Sequence, residues 1–111
     1  MHENQFSESV ELIELRRRLV DGLREKGESD PDVRALLSEW TQKREAIAVA
    51  TGTRDAQIKF ELERADLYHE AGYYEDALDT LSDALLIAQQ EGLYDLIDGI
   101  SEMMRNIEEE N

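Results

Sequence analysis

The chain has 111 residues, of which 41% are hydrophobic and 35% are charged, and its formal net charge is −15. This size and composition suit one domain with a modest core and exclude a disordered chain. The negative charge argues against nucleic acid as a partner, because phosphates require clustered positive charge. The chain contains no cysteine, which excludes disulfides, thiolate chemistry and cysteine-based zinc sites.

The start of the chain and its apolar segments indicate in which compartment we expect the protein. The first nine residues are polar and acidic, unlike a signal peptide. No apolar run approaches the roughly 20 residues that span a bilayer, and the acidity disfavours an anionic membrane surface. We therefore expect a cytoplasmic protein that binds neither membrane nor nucleic acid.

The negative charge is concentrated in the second half of the chain. Residues 1–51 carry eight Lys or Arg against eleven Asp or Glu, whereas residues 52–111 carry four against sixteen. Such a surface either keeps the protein soluble or docks a positively charged partner, and the sequence leaves both readings open.

A first helical hairpin is predicted over residues 7–51. We expect residues 1–6 to fray and Ser7 or Ser9 to cap the first helix. Gly27 ends that helix, and Asp30 then caps a second helix with Pro31 at its first position. The connector is short, so the two helices should be antiparallel neighbours. Their apolar stripes contain Val10, Leu12, Ile13, Leu15, Leu19, Val20 and Leu23 in the first helix and Val33, Leu36, Leu37, Trp40, Ile47 and Ala48 in the second.

Three consecutive arginines, Arg16, Arg17 and Arg18, interrupt the first apolar stripe. Glutamates and aspartates surround them, so they are a weak nucleic-acid signal. The pattern favours a solvated face on which arginines pair with acidic residues of the same helix.

A second hairpin is predicted over residues 54–91, followed by a closing helix over 93–109. Gly52 should end the second helix, with Thr53 capping the third. A single kinked helix through Gly52 is the alternative, because an isolated glycine costs only about 1 kcal/mol within a helix. Gly72 and Gly92 mark the later turns. The sequence thus predicts a single all-α domain, residues 1–111, of four to five helices.

Residues 58–91 resemble a tetratricopeptide repeat (TPR), a helix–turn–helix unit of about 34 residues. The resemblance depends on small, aromatic and large apolar residues at the family's positions, with a turn glycine between the helices. The early tryptophan position is occupied by Glu61, and the closing proline is missing. Residues 93–109 resemble half of a further repeat, whereas residues 1–51 do not show the pattern. The matching residues are Ala65, Tyr68, Gly72, Tyr74, Ala77, Leu81 and Ala84.

The resemblance implies a binding groove lined by the first helix of the repeat. Family members that grip a terminal carboxylate use Lys and Asn at two groove positions. Those positions hold Leu62 and Asp66 here, so this grip is not expected. The resemblance instead favours an apolar or basic peptide or helix from another protein. The groove positions are Lys59, Leu62, Asp66, His69 and Glu70.

No catalytic constellation stands out in the sequence, and we expect neither enzymatic activity nor a cofactor or metal. Asp66 and His69 lie three residues apart on one helical face, but helical di-metal sites use such a pair twice. A small metal-dependent all-helical hydrolase is a remote alternative. We expect an adaptor, a chaperone-like protein or a regulatory subunit. The main alternative is a structural module whose apolar stripes build a homodimer.

Overall fold

The computed structural model describes the backbone of residues 2–110 and the side chains of residues 10–110. The prediction of an all-α fold with four to five helices is confirmed with five helices, and the described residues contain no β-strand. The connecting segments are two to five residues long. The helices are α1 (His2–Glu25), α2 (Pro31–Thr51), α3 (Arg54–Glu70), α4 (Tyr74–Glu91) and α5 (Tyr94–Glu110).

The helix α1 begins at His2 rather than at the predicted Ser7 or Ser9 cap. The predicted cap at Ser7 or Ser9 is therefore wrong, and Met1 lies outside the described residues. No proline or glycine occurs before Gly22, so nothing in the backbone chemistry of this segment stops the helix from extending toward the N-terminus.

The junction at Gly52 separates two helices, and the alternative of one kinked helix is wrong. Gly52 adopts the left-handed conformation at φ 76°, and its N–H donates to the carbonyl of Ala48 at the end of α2. Thr53 is extended, and its hydroxyl accepts a hydrogen bond from the backbone N–H of Ala56 at 3.1 Å. Side chains rarely adopt the conformation of Gly52, so this glycine allows the chain to reverse.

The turn between α3 and α4 is closed by backbone hydrogen bonds around Gly72. The Tyr73 N–H donates to the Tyr68 carbonyl at 2.8 Å, and the Gly72 N–H donates to the His69 carbonyl at 3.0 Å. This pair of bonds is the Schellman motif, which needs a left-handed residue at the position of Gly72. The Tyr73 hydroxyl donates to the Leu23 carbonyl at 3.2 Å, which ties this turn to the end of α1.

Two apolar clusters hold the helices together, and α3 contributes to both. The first cluster joins α1, α2 and α3, and the second joins α3, α4 and α5; Tyr68 packs against both. The first contains Leu15, Leu19, Val20, Leu23, Val33, Trp40, Ala48, Phe60, Leu67 and Ala71. The second contains Ile58, Ala65, Ala77, Leu81, Ala84, Ala88, Ile100 and Ile107.

The helices form two layers. Helix α1 contacts α3, α2 lies against α1 and α3, and α4 lies against α3 and α5. The smallest dimension of the molecule, 19 Å, matches two helical layers packed about 10 Å apart. This packing of successive helix–turn–helix units is compatible with a helical repeat fold. Among the described residues, no helix has both the length and the apolar character needed to cross a membrane.

Candidate functional site

A groove of about 420 Å³ opens between α1 and α3, with α2 at its base. Its apolar surface comes mainly from α1 and α3. Ile13 is 67% exposed, although its place in the α1 stripe predicted a packed side chain. Leu12 and Leu62 are half-buried, and Trp40 is buried in the first cluster. The residues that line the groove are Leu12, Ile13, Arg16, Trp40, Arg44, Leu62, Glu63 and Asp66.

Ile13 lies at the edge of the buried face of α1. Leu15, Leu19 and Leu23, at intervals of four residues, are buried. Val10 and Ile13 precede exposed Arg17 by seven and four residues, which places them on the side of α1 that carries Arg17. Val10 is 50% exposed, and Ile13 lines the groove from this edge.

Ion pairs between helices border the groove. Arg16 reaches from α1 to two carboxylates on α3, at 2.9 Å from Asp66 and in a short contact with Glu70. Arg44 of α2 pairs with Glu63 of α3. Arg24 of α1 also donates to the backbone carbonyl of Glu70. Three carboxylates thus lie beside three guanidinium groups, but the carboxylates of Asp66, Glu70 and Glu63 are 62%, 49% and 52% exposed, whereas Arg16 and Arg44 are 26% and 15% exposed.

The three arginines of α1 have different partners. Arg17 pairs with Glu14 and Asp21 of its own helix, as expected for a solvated face. The hydrogen bond and the positive charge of Arg17 lower the pKa of the Glu14 carboxyl. For Arg16 the same expectation was wrong, because its side chain points toward α3 and pairs across helices.

The predicted partner-binding residues occupy three different places along α3. Leu62 and Asp66 line the groove between α1 and α3. Asp66 also lines a second, smaller groove of about 130 Å³ between α3 and α5, together with His69. Glu70 pairs with Arg16. Lys59 lies apart from these residues, paired with Asp55 of its own helix at 3.1 Å, near the turn between α4 and α5.

The second groove is closed at one end by a contact between α3 and α5. His69 Nε2 lies within hydrogen-bonding distance of Glu110 Oε2. The His69 ring also lies against Tyr74, with 5.4 Å between the ring centroids. Met103 and Ile107 supply the apolar wall from α5. The groove between α3 and α5 is smaller than the α1–α3 groove, and it is closed at one end.

The residues matched to the repeat pattern lie where the two helices of the second hairpin meet. Ala65 and Ala77 are completely buried, and Tyr68 and Tyr74 are half-buried. Gly72 forms the turn. Leu81 and Ala84 are also completely buried in the second cluster. Small side chains at such positions let two helices approach closely, while the larger side chains fill the remaining space.

Aromatic and cationic side chains stack beneath the groove. The rings of Trp40 and Phe60 are stacked with 6.0 Å between centroids. The Arg44 and Arg64 guanidinium groups lie 6.0 and 5.8 Å from the Phe60 ring centroid, within cation–π range. This stack fixes Arg44, which in turn holds Glu63 at the border. Sequence reasoning identified Trp40 as a packing residue but did not identify Arg44, which has no local sequence signal.

Glu61 is a half-buried carboxylate beside this stack, and its side chain is 16% exposed. Burial raises the pKa of Glu61 above its ordinary value of 4.5, and the negative charges of Asp83 and Glu45 act in the same direction. The ion pair with Arg64, at 2.7 Å, opposes this rise in pKa without cancelling it. Burial likewise raises the pKa of the Tyr68 phenol.

We expect the Glu61→Gln variant to gain stability relative to the wild type as pH rises from about 4 to about 7. Between pH 4.5 and its raised pKa, Glu61 keeps its proton in the folded chain and loses it in the unfolded chain. The stability that Glu61 contributes is therefore present at low pH and lost as pH rises. Urea unfolding of both proteins at several pH values measures the difference.

Glu102→Gln is the matched control for the loss of one carboxylate, since Glu102 is exposed on α5. The difference in the free energy of unfolding between Glu102→Gln and the wild type should change much less over the same pH range. If the difference in the free energy of unfolding between the wild type and Glu61→Gln stays constant with pH, the raised pKa of Glu61 is contradicted.

Comparisons with protein-family models, curated proteins and solved structures find no match to the chain. Among the described side chains, no group of three or more His, Cys, Asp or Glu is arranged to hold a metal ion.

Proposed function

We propose that this chain is a TPR-like protein–protein interaction module, acting as an adaptor, a chaperone-like protein or a regulatory subunit. The groove between α1 and α3 binds an apolar or basic peptide or helix of a protein partner. The observation that carries this proposal is the open groove, in which Ile13 is 67% exposed beside half-buried Leu12 and Leu62. Covering such side chains releases roughly 25 cal/mol per Å² of apolar surface.

The charges around the groove favour a basic segment over an acidic one. Asp66 and Glu70 share one guanidinium group, from Arg16, and both carboxylates remain about half exposed or more. A lysine or arginine of the partner would meet carboxylates that are more exposed than the guanidinium groups paired with them. Among the described residues that line the groove, both cations, Arg16 and Arg44, are paired, which disfavours a grip on a terminal carboxylate.

A peptide selection on the immobilised full-length chain tests this proposal. The Ile13→Asp variant should lose binding of the selected peptides by about ten-fold or more, because a charge replaces the main apolar contact of the groove. Val49→Asp is the matched control, since Val49 is 73% exposed on α2 and lies outside this groove. Circular dichroism verifies that both variants remain folded.

The expected result is a set of peptides with apolar and basic residues that bind the wild type and Val49→Asp equally. Failure to enrich any peptide, or equal binding to Ile13→Asp, would contradict the proposal. Enrichment of acidic peptides would contradict the charge argument and require a different partner class.

The second candidate function is homodimerisation, favoured by the exposure of Val10 and Ile13 on one end of α1. In that case a second copy covers the same apolar patch, and the acidic surface serves only for solubility. Sedimentation equilibrium separates the two functions: a dimer that Ile13→Asp converts to a monomer supports this candidate, and a monomeric wild type eliminates it.

A further inference from the structure

Helix α5 has one side that faces away from α3. It lies along α4, and Ile100 and Ile107 are buried in the second cluster. Met103 and Ile107 lie on the side facing α3, where they share a groove with His69. Each of the other four helices packs along at least two neighbours. The side of α5 turned away from α3 therefore offers an open flank to a further helix.

This open side, which we call the outer face of α5, is partly apolar. Tyr94, Ile97, Ser101 and Met104 follow one another at intervals of three or four residues, which places them on one helical face. Tyr94 is 75% exposed, whereas Ile97 and Met104 are half-buried because they also pack against the second cluster, so only part of each of these two side chains is open.

Tyr94 also borders a hollow of about 400 Å³ at the turn between α4 and α5. Asp55 and Lys59 of α3 contribute to its lining, so this hollow lies on the α3 side of α5 and is not part of the outer face.

Acidic residues run beside the outer face of α5. Asp98 and Glu102 are exposed, and their spacing of four residues places them one above the other on the strip next to Ser101. Residues 74–110 contain eleven Asp or Glu and a single basic residue, Arg105. Arg105 lies on the same flank, seven residues after Asp98, but Asp98, Glu102 and Glu109 outnumber it there. The face therefore combines an apolar strip with a flank of net negative charge.

We propose that the outer face of α5 docks a basic amphipathic helix from a partner protein. The apolar stripe of that helix packs on Tyr94, Ile97 and Met104, and its lysines or arginines face Asp98 and Glu102. A second copy of this chain is excluded by charge on this surface, because two segments of the same strong negative charge repel one another. This surface is separate from the α1–α3 groove, so the inference does not depend on the proposed function.

The test uses a synthetic helix of about 18 residues, or five turns, with leucines on one face and lysines elsewhere. Its binding to the full-length chain is measured by fluorescence anisotropy at about 0.05 M and about 0.3 M salt. A scrambled peptide of the same composition controls for attraction by charge alone.

Two variants change the outer face of α5 without replacing a buried residue. Tyr94→Asp removes an exposed aromatic ring and places an acid in the first turn of α5, where it suits the helix dipole. The double variant Asp98→Lys, Glu102→Lys reverses the charge at two positions of the acidic flank. The matched control, Asp79→Lys with Asp83→Lys, makes the same charge change at the same spacing on exposed residues of α4.

We expect the amphipathic peptide to bind at least about ten-fold more tightly than the scrambled one, and more weakly at higher salt. Tyr94→Asp and the α5 double variant should each weaken binding by about ten-fold, while the α4 control and Ile13→Asp leave it nearly unchanged.

Four results would overturn the inference. Equal binding of the scrambled peptide, or equal losses in the α4 and α5 double variants, would show attraction by charge alone. Loss of binding in Ile13→Asp instead of Tyr94→Asp would place the helix in the α1–α3 groove, which supports the proposed function and contradicts this site. A dimer that Tyr94→Asp disrupts would identify a second copy as the occupant.

Discussion

Replacing Trp40 with alanine should lower the free energy of unfolding by about 3–5 kcal/mol, the range for deleting a large buried aromatic side chain. Trp40 is 2% exposed and packs in the cluster that joins α1, α2 and α3. Its ring stacks on Phe60, so the substitution leaves a cavity at the point where all three helices meet. Urea unfolding followed by circular dichroism measures the loss.

Tyr94→Ala is the matched control for Trp40→Ala, because it also deletes an aromatic ring but at a site that is 75% exposed. Its effect should stay within about 0.5 kcal/mol. A loss below about 1 kcal/mol for Trp40→Ala would mean that the first cluster is not packed as described, and the base of the α1–α3 groove with it.

Replacing Ile100 with alanine should cost about 2–5 kcal/mol. Ile100 is completely buried in the second cluster, where it joins α5 to α4. Because α5 packs chiefly along α4, few other contacts compensate for the loss. The unfolding curve of this variant therefore reports whether α5 belongs to the cooperative unit.

Ile13→Ala provides the same chemical change at a site that is 67% exposed, and it should cost at most about 0.5 kcal/mol. Equal effects of the two isoleucine substitutions would contradict the placement of α5 on α4. An early separate transition in Ile100→Ala would indicate that α5 unfolds before the rest of the stack.

The helix boundaries that the sequence predicted well depend on local chemistry. The Asp30 carboxylate accepts hydrogen bonds from the backbone N–H groups of Asp32 and Val33, and Pro31 occupies the first position of α2. Such a cap involves only adjacent residues, so the sequence alone reveals it. The all-α fold follows from the same local signals.

The tertiary features were harder to predict, because they depend on how the helices meet. Arg16 and Arg17 have similar local neighbours in the sequence, yet Arg16 pairs with α3 and Arg17 with its own helix. Ile13 lies at the edge of the buried face of α1, and the sequence of α1 alone does not indicate how far α2 and α3 cover that edge.

The sequence placed only some of the candidate site residues correctly, because contacts between helices are not encoded in the local pattern of one helix. Leu62 and Asp66 face the α1–α3 groove, but Lys59, which shares their helix, lies near the turn between α4 and α5. Arg44 reaches Glu63 at the groove border from a different helix. The sequence of α3 alone does not indicate which neighbouring helix each of its side chains contacts.

The binding of a protein segment between α1 and α3 is tested most directly by mapping amide chemical shifts of the isotope-labelled full-length chain. The ligand in the titration is the tightest peptide from the selection on this chain. We predict that the amides of Leu12, Ile13 and Leu62 shift with the titration while those of Val49 and Leu86 do not. Shifts confined to α4 and α5, or no shifts at saturating peptide, would contradict binding in this groove.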